Sequence, residues 1–188
     1  MSKRPALMAV DHPLSYARKE KVAHHRPRTL EEKVQHLLEI QDITDMLNEF
    51  TYALDACLAD PTTLETYVEL LTDDCHLHFP FGSYKGTAGV PQMVLNAESR
   101  FSRMMHMTSN LKIIFADTYK TAYGRATISV TNGLHEVHLD PNFVEGGYYY
   151  FTFRKNHNTQ QWQISYLYLD ISWTQGDSRG LNESGAAD

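Results

Sequence analysis

The order of hydrophobic periods predicts an α+β protein, with N-terminal helices packed on one face of a strongly curved, mostly antiparallel sheet. Three observations carry this expectation. Before residue 104, apolar residues recur at three- and four-residue steps, the period of an amphipathic helix. From His106 to Trp173 the period falls to two, broken by turn residues at Asp117-Thr118, Asp140-Pro141-Asn142 and Asn156-His157-Asn158-Thr159. Within that half, Tyr148-Tyr149-Tyr150-Phe151-Thr152-Phe153 is dense in residues that favour a pleated, half-buried surface.

The elements follow in order. Residues 1–30 hold three prolines and many basic residues without a sustained apolar period, and are expected to form a mobile arm. Glu31 to Leu38 reads as a helix that runs into, or breaks just before, a second one from Ile40 to Leu58. The stripe of that second helix is Ile43, Leu47, Phe50, Leu54 and Leu58. Asp60-Pro61-Thr62-Thr63 is a stop and restart, with Asp60 or Thr62 as the cap and Pro61 in the first turn. Leu64, Tyr67, Val68 and Leu71 form a short helix closed by Thr72-Asp73-Asp74. Cys75, Leu77 and Phe79 alternate with His76 and His78 as a strand. Phe81 to Gly86 gives a turn and a second short strand, and Gly89 to Arg103 a third helix with Val90, Val94, Ala97 and Phe101 on one side. Four long strands complete the sheet: His106 to Asp117, Thr121 to His135, Val144 to Lys155 and Trp162 to Trp173. The domain therefore spans residues 31–176, and the Gly-, Ser- and Ala-rich residues 177–188 are expected to be a disordered tail.

Composition narrows the function. A chain of 188 residues with 42% hydrophobic and 21% charged residues can bury one ordinary core. A net charge of -6 argues against a nucleic-acid partner held through its phosphates. No apolar run approaches the ~20 residues that cross a bilayer, so no membrane partner is expected. The arm lacks the apolar centre of a secretory signal. Cys57 and Cys75 make neither a disulfide framework nor a four-cysteine zinc site, which suits a reducing, cytoplasmic compartment. His76-Leu77-His78 and His135-Glu136-Val137-His138 each lack a convergent third ligand, so no metal is expected. Neither a phosphate-cradling glycine loop nor a nucleophile elbow is present, and no cofactor is expected.

One acid stands out. Asp55 lies about 110° around the helix from the centre of its apolar stripe, beside Thr51 and Asn48. A carboxylate on that shoulder can look into a pocket without being stranded in the core. The same position also suits a solvated helix acid.

Several local runs, taken in order, resemble the nuclear transport factor 2 and SnoaL-like cyclase superfamily. Tyr52-Ala53-Leu54-Asp55 followed by Leu70-Leu71-Thr72-Asp73-Asp74-Cys75 is similar to its opening. Gly82-Ser83-Tyr84-Lys85-Gly86 is similar to its connection into the third helix, and Met105-His106-Met107-Thr108-Ser109-Asn110 to its third strand. Gly146-Gly147-Tyr148, Trp162-Gln163-Ile164 and Asp170-Ile171-Ser172-Trp173 resemble its last two strands, the final run looking most like scytalone dehydratases. The resemblance covers residues 40–176 and implies a cone with a pocket between helices and sheet. It also implies an acid–base pair at Asp55 and His106. The chain departs from the dehydratases at Leu54 and Phe79, where they carry tyrosines, and near Ala126, where they carry a second histidine. Dehydration of scytalone itself is therefore not expected.

An Asp/His pair in an apolar pocket is sufficient for proton transfer at carbon. Burial raises the carboxylate's pKa, a neighbouring imidazolium lowers it, and together they hold one proton near neutral pH. Asn110 and Tyr148 are candidates to steady a developing enolate oxygen. Phe79, Phe81, Tyr84, His135, Trp173 and the Met104 to Met107 segment are candidates for the pocket wall. The expected function is a cofactor-independent dehydratase, isomerase or cyclase acting on an aromatic or polycyclic small-molecule substrate. The alternative is a non-catalytic binding or dimerisation module of the same fold. Trp162, Tyr166 and Tyr168 on the open face would pair two copies, so a homodimer or higher homo-oligomer is expected. Asp55→Asn is expected to leave the thermal midpoint equal or higher.

Overall fold

The computed structural model describes residues 25–116, 118–138 and 141–181. The expectation of a mobile arm falls almost wholly on residues 1–24, and that of a disordered tail mostly on 182–188, outside the described residues. Helix α1 spans Leu30–Ala56 without a break. No proline or glycine interrupts it, so the two sequence segments are one helix. Thr29 starts it: its hydroxyl accepts from the Glu32 backbone N–H at 3.1 Å, and the Glu32 carboxylate accepts from the Thr29 N–H at 3.2 Å. Ile43, Leu47, Phe50 and Leu54 are buried as the stripe requires, while Leu58 lies past the helix end and is only half-buried.

Helix α2 spans Thr63–Glu69. Asp60 organises the restart, its Oδ1 accepting from the Thr62 backbone N–H at 3.1 Å and hydroxyl at 2.6 Å. Strand β1 spans Leu71–Phe79, so Thr72-Asp73-Asp74 opens a strand and does not close a helix. The reason lies some 80 residues on: Arg154 donates to the side chains of Asp74 and Thr72, pinning this polar run to the sheet. Strand β2 is Gly82–Lys85, and helix α3 is Val90–Glu98. α3 ends short of Arg103 because the chain there enters the sheet, with Ser102 N–H donating to Gly133 O at 2.8 Å. Strands β3 (Arg103–Phe115), β4 (Thr121–Gly133), β5 (Phe143–Lys155) and β6 (Trp162–Gly176) follow.

The sheet order is β2-β1-β6-β5-β4-β3, with every pairing antiparallel except β1 with β6. Ladder shifts between Ser109 and Lys112, Gly146 and Gly147, and Thr152 and Phe153 break the register, and such bulges bend and twist a sheet. A Cβ at Gly147 would run into the Asp170 carbonyl, so a residue without one is required where the bulged strand presses in. The three helices cover one face of the curved sheet. Phe50 stacks on Tyr67 at 4.8 Å and meets Tyr149 and Phe151 edge-on. Trp162, expected on the open face, is buried in this core. The open face instead carries Tyr123, Tyr148, Tyr150 and Tyr168 around Ile114, with the Arg125 guanidinium 4.0 Å above the Tyr148 ring.

A buried acid joins the layers. Glu39 is 2% exposed, and its carboxylate accepts from Lys155 Nζ at 2.6 Å to both oxygens, from Trp162 Nε1 at 2.7 Å and from Gln35 Nε2 at 2.7 Å. Four hydrogen bonds from three donor groups compensate the burial of this carboxylate, and removing it strands the Lys155 ammonium. Glu39→Ala is expected to cost roughly 3–5 kcal/mol in urea unfolding. A loss below about 1 kcal/mol would show that the cluster does not hold the helix to the sheet.

Candidate active site

Asp55 occupies the last turn of α1 and His106 the near end of β3, opposite Val130 of β4. The two side chains meet: His106 Nδ1 lies 2.7 Å from Asp55 Oδ1. The His106 backbone N–H also donates to Asp55, at 3.0 Å to Oδ1 and 3.1 Å to Oδ2. A carboxylate can only accept, so Nδ1 carries the proton and the neutral ring keeps its lone pair on Nε2. The imidazole is 7% exposed and the Asp55 side chain 28%. His106 lines the cavity and Asp55 stands behind it.

The cavity measures about 40 Å³ and lies between the helices and the sheet. Its apolar wall includes Leu54, Phe79, Phe81, Met93, Val94 and Leu169, with the Phe79 and Phe81 rings stacked at 5.0 Å. Polar side chains also line it: His106, Glu98, Asn132, Glu145, Tyr67 and Tyr149. Among the described residues, the buried Tyr67 hydroxyl and Asn132 Oδ1 have no hydrogen-bond partner.

Burial raises the Glu98 carboxyl to about 7; the His106 charge opposes this, and Asp55 and Glu145 reinforce it. Glu98 keeps some accessible surface because it faces a cavity, but it lies deep in the fold. For His106 the largest influence is burial, which favours the neutral ring. The Asp55 hydrogen bond and the charges of Glu98, Asp55 and Glu145 together outweigh it and lift the imidazole above 6.5. Burial also raises the hydroxyls of Tyr67 and Tyr149, keeping both neutral.

The Glu98 shift carries a stability prediction. A folded-state value near 7, above the ordinary 4.5, gives stability that is fully present below 4.5 and lost as pH rises through 7. Glutamine mimics the protonated form at every pH. Glu98→Gln is therefore expected to be more stable than the parent at pH 8, on the order of 1–3 kcal/mol, and equal to it near pH 4.5. A pH-independent difference between the two melting curves would contradict this.

Of the residues singled out in the sequence, Asp55, His106, Phe79 and Phe81 come together. Tyr84 misses the cavity but lines a depression beside it. Four others lie elsewhere. Asn110 sits at the β3 bulge with φ 50°, exposed, donating to Thr127 Oγ1 at 3.4 Å. Tyr148 is on the open face under Arg125, because β5 turns Tyr149 inward. His135 lies past the end of β4, exposed, its carbonyl accepting from Arg103 and its ring edge-on to His138 at 5.7 Å. Trp173 is 51% exposed, its ring over Gly146. Met105 and Met107 point outward from β3, and Met104 lines a separate surface depression. Glu98, Asn132 and Glu145 were missed, although each left a trace. Glu98 follows Val94 by four residues on the apolar stripe of α3, and Asn132 follows Ala126, Ile128 and Val130 at strand spacing. Glu145 shares the inward parity of Tyr149 and Phe151, once Gly146-Gly147 is counted.

Helices over a bent six-stranded sheet define the cone class shared by nuclear transport factor 2-like proteins. The chain belongs to the SnoaL-like domain family, whose profile matches residues 35–168. Among solved structures it is similar to a proposed scytalone dehydratase from Novosphingobium aromaticivorans, with TM-score 0.65 and 20% identity over 77% of this chain and 91% of the other. It is also similar to a hexachlorocyclohexane dehydrochlorinase of the LinA type from Novosphingobium barchaimii, with TM-score 0.63 and 17% identity over 76% and 92%. A protein of unknown function from Mycobacterium tuberculosis aligns with TM-score 0.59 and 20% identity over 72% and 77%. At these identities the likeness is one of fold. No curated protein matches the sequence.

Proposed function

We propose that the chain is a cofactor-independent acid–base enzyme that takes a proton from carbon in a cyclic small molecule and completes an elimination, isomerisation or ring closure. The observation that carries this reading is the buried His106 ring, held by Asp55 through Nδ1, with Nε2 left to accept a proton on the cavity side. Nε2 takes the proton from carbon, and Asp55 stabilises the imidazolium that forms. Glu98, protonated up to about pH 7, returns a proton to the leaving hydroxyl or to the enolate. In an elimination, one C–H and one C–O bond break, a C=C bond forms and water departs. Names such as dehydratase and dehydrochlorinase among the fold neighbours support elimination from a ring.

A cavity of about 40 Å³ is smaller than the ~150 Å³ that admits benzene, so even a single ring enters only if wall residues such as Phe81 and Leu181 move aside, and a polycycle needs a larger opening still. The test needs no natural substrate. Cyclohexanone and α-tetralone are incubated with the protein in D2O, and exchange of the α-hydrogens is followed by NMR. Exchange above the buffer rate, absent in His106→Ala, is the expected result. No exchange with either ketone, or equal exchange in the variant, defeats the acid–base reading.

A second reading draws on a different contact. Asp55 also accepts from the His106 backbone N–H, so the carboxylate pins β3 to α1 whether or not chemistry follows. A binding module of the same fold would keep that pin and show no exchange.

A further inference from the structure

Beyond Phe81, Met93, Ala97 and Leu181, which line the His106 cavity, those same four residues form one side of a depression of about 200 Å³. The rest of its lining is Tyr84, Asn96 and Arg100. All three bring hydrogen-bond donors, and among the described residues no acid lines the depression. Arg100 spends Nη1 on the Arg179 carbonyl at 2.6 Å, but its Nε is buried with no partner. Among the described residues it pairs with no carboxylate. The Asn96 Oδ1 accepts from Gln92 Nε2 at 2.7 Å, which leaves its amide N–H groups to donate outward. The Tyr84 hydroxyl, beside Gly82, has no protein acceptor among the described residues. A buried donor on a charged group is costly to leave unsatisfied. A planar guanidinium fork flanked by an amide and a hydroxyl is the donor set that suits a carboxylate.

We propose that this depression is the anion-binding end of the site, and that the molecule bound carries a carboxylate on a short apolar body. The carboxylate docks against Arg100, Asn96 and Tyr84, while the body passes between Phe81 and Leu181 toward His106. The acid–base reading enters only in saying which end of the molecule reacts. Among the described residues one cation faces the depression, and Glu98 and Glu145 stand in the adjoining cavity, so a monoanion fits better than a phosphate dianion. The plainer role for Arg100 is to tether the segment around Arg179. That role affects melting but gives no preference for charge.

The test is calorimetric titration of the full chain with 3-phenylpropionate, its methyl ester and phenyl phosphate. The acid is expected to bind at least ~10-fold tighter than the ester, and phenyl phosphate more weakly than the acid. Arg100→Gln should remove the preference for the acid while ester binding stays. Tyr84→Phe, which deletes one hydroxyl and keeps the ring, should weaken acid binding several-fold even if Arg100→Gln does not fold. The His106 imidazole resonances should shift as the acid binds. Equal binding of acid and ester, no binding at millimolar concentration, or a preference that survives in both variants overturns the proposal. Tighter binding of phenyl phosphate overturns the carboxylate assignment. A charge preference without ketone exchange in D2O would sink the acid–base reading and leave this one standing.

Discussion

His106→Ala is expected to fold and to lose at least ~100-fold in catalysed exchange, the lower end of what a positioned acid–base group contributes. The ring is the basic side chain facing the cavity, and its lone pair is fixed on Nε2 by the bond from Nδ1 to Asp55. In the parent, activity requires neutral His106 together with protonated Glu98. The Asp55 hydrogen bond and nearby charges lift His106 above its ordinary value against the opposing effect of burial, and burial brings Glu98 to about 7, each group acting on the other's titration. The pH–rate profile should be a bell. Its acidic limb belongs chiefly to His106 and should vanish in the alanine variant, and a residual rate that keeps the full bell would assign the base elsewhere. The Asp55 carboxylate still accepts the backbone N–H of residue 106 in that variant, which is why the fold should survive.

The second large effect is at Asp55. Asp55→Asn should lower the rate by on the order of 10²- to 10⁴-fold, because an amide that donates toward Nδ1 favours the tautomer with its proton on Nε2. The tautomer is read by ¹⁵N chemical shifts of the imidazole, which a merely weakened fold would not invert. Stability moves against the expectation formed from sequence. A desolvated, unpaired acid would be better replaced by an amide, but Asp55 is 28% exposed and accepts from both the ring and backbone of His106. Asparagine cannot accept all of these on both atoms. The thermal midpoint should fall, by the equivalent of roughly 1–3 kcal/mol. An unchanged or higher midpoint, with the tautomer unaltered, would mean that the carboxylate neither pins β3 nor orients the ring.

How much of this was legible depended on whether the controlling partner was near in sequence. The α1 stripe and the four long strands follow from local periods, and the start of α1 from a capping box within four residues. Asp55 and His106 were read through a resemblance, since 51 residues separate them and no period links two elements. Thr72-Asp73-Asp74 was misread because Arg154, which makes it a strand, lies some 80 residues away. Tyr148 and Trp173 were assigned to the pocket on chemistry alone. Which face each takes depends on the parity of β5 and on the β6 bulge beside Gly146-Gly147, and composition does not encode a bulge. Glu98 was passed over because a carboxylate on an apolar stripe reads as a helix end until the cavity behind it is known.

The parallel pairing of β1 with β6 also sets an order on assembly. Strands β3 to β6 form a meander of neighbouring hairpins, each closing over a short connection. Leu71 instead finds Ile164, and Glu39 finds Lys155 and Trp162, contacts whose loops enclose from about half to about two-thirds of the chain. Long loops are entropically costly to close before other contacts reward them, so hairpins can precede the docking of the helical half. During synthesis, α1 and β1 leave the ribosome before their partner strands, with the apolar face of Ile43, Leu47 and Phe50 incompletely covered until β5 supplies Tyr149 and Phe151 and β6 completes the core with Trp162 and Ile164. The cavity is then among the last features to form. A chain truncated before β6 would contain both Asp55 and His106 and still lack Leu169, the parallel ladder and the enclosure that keeps their shared proton from water.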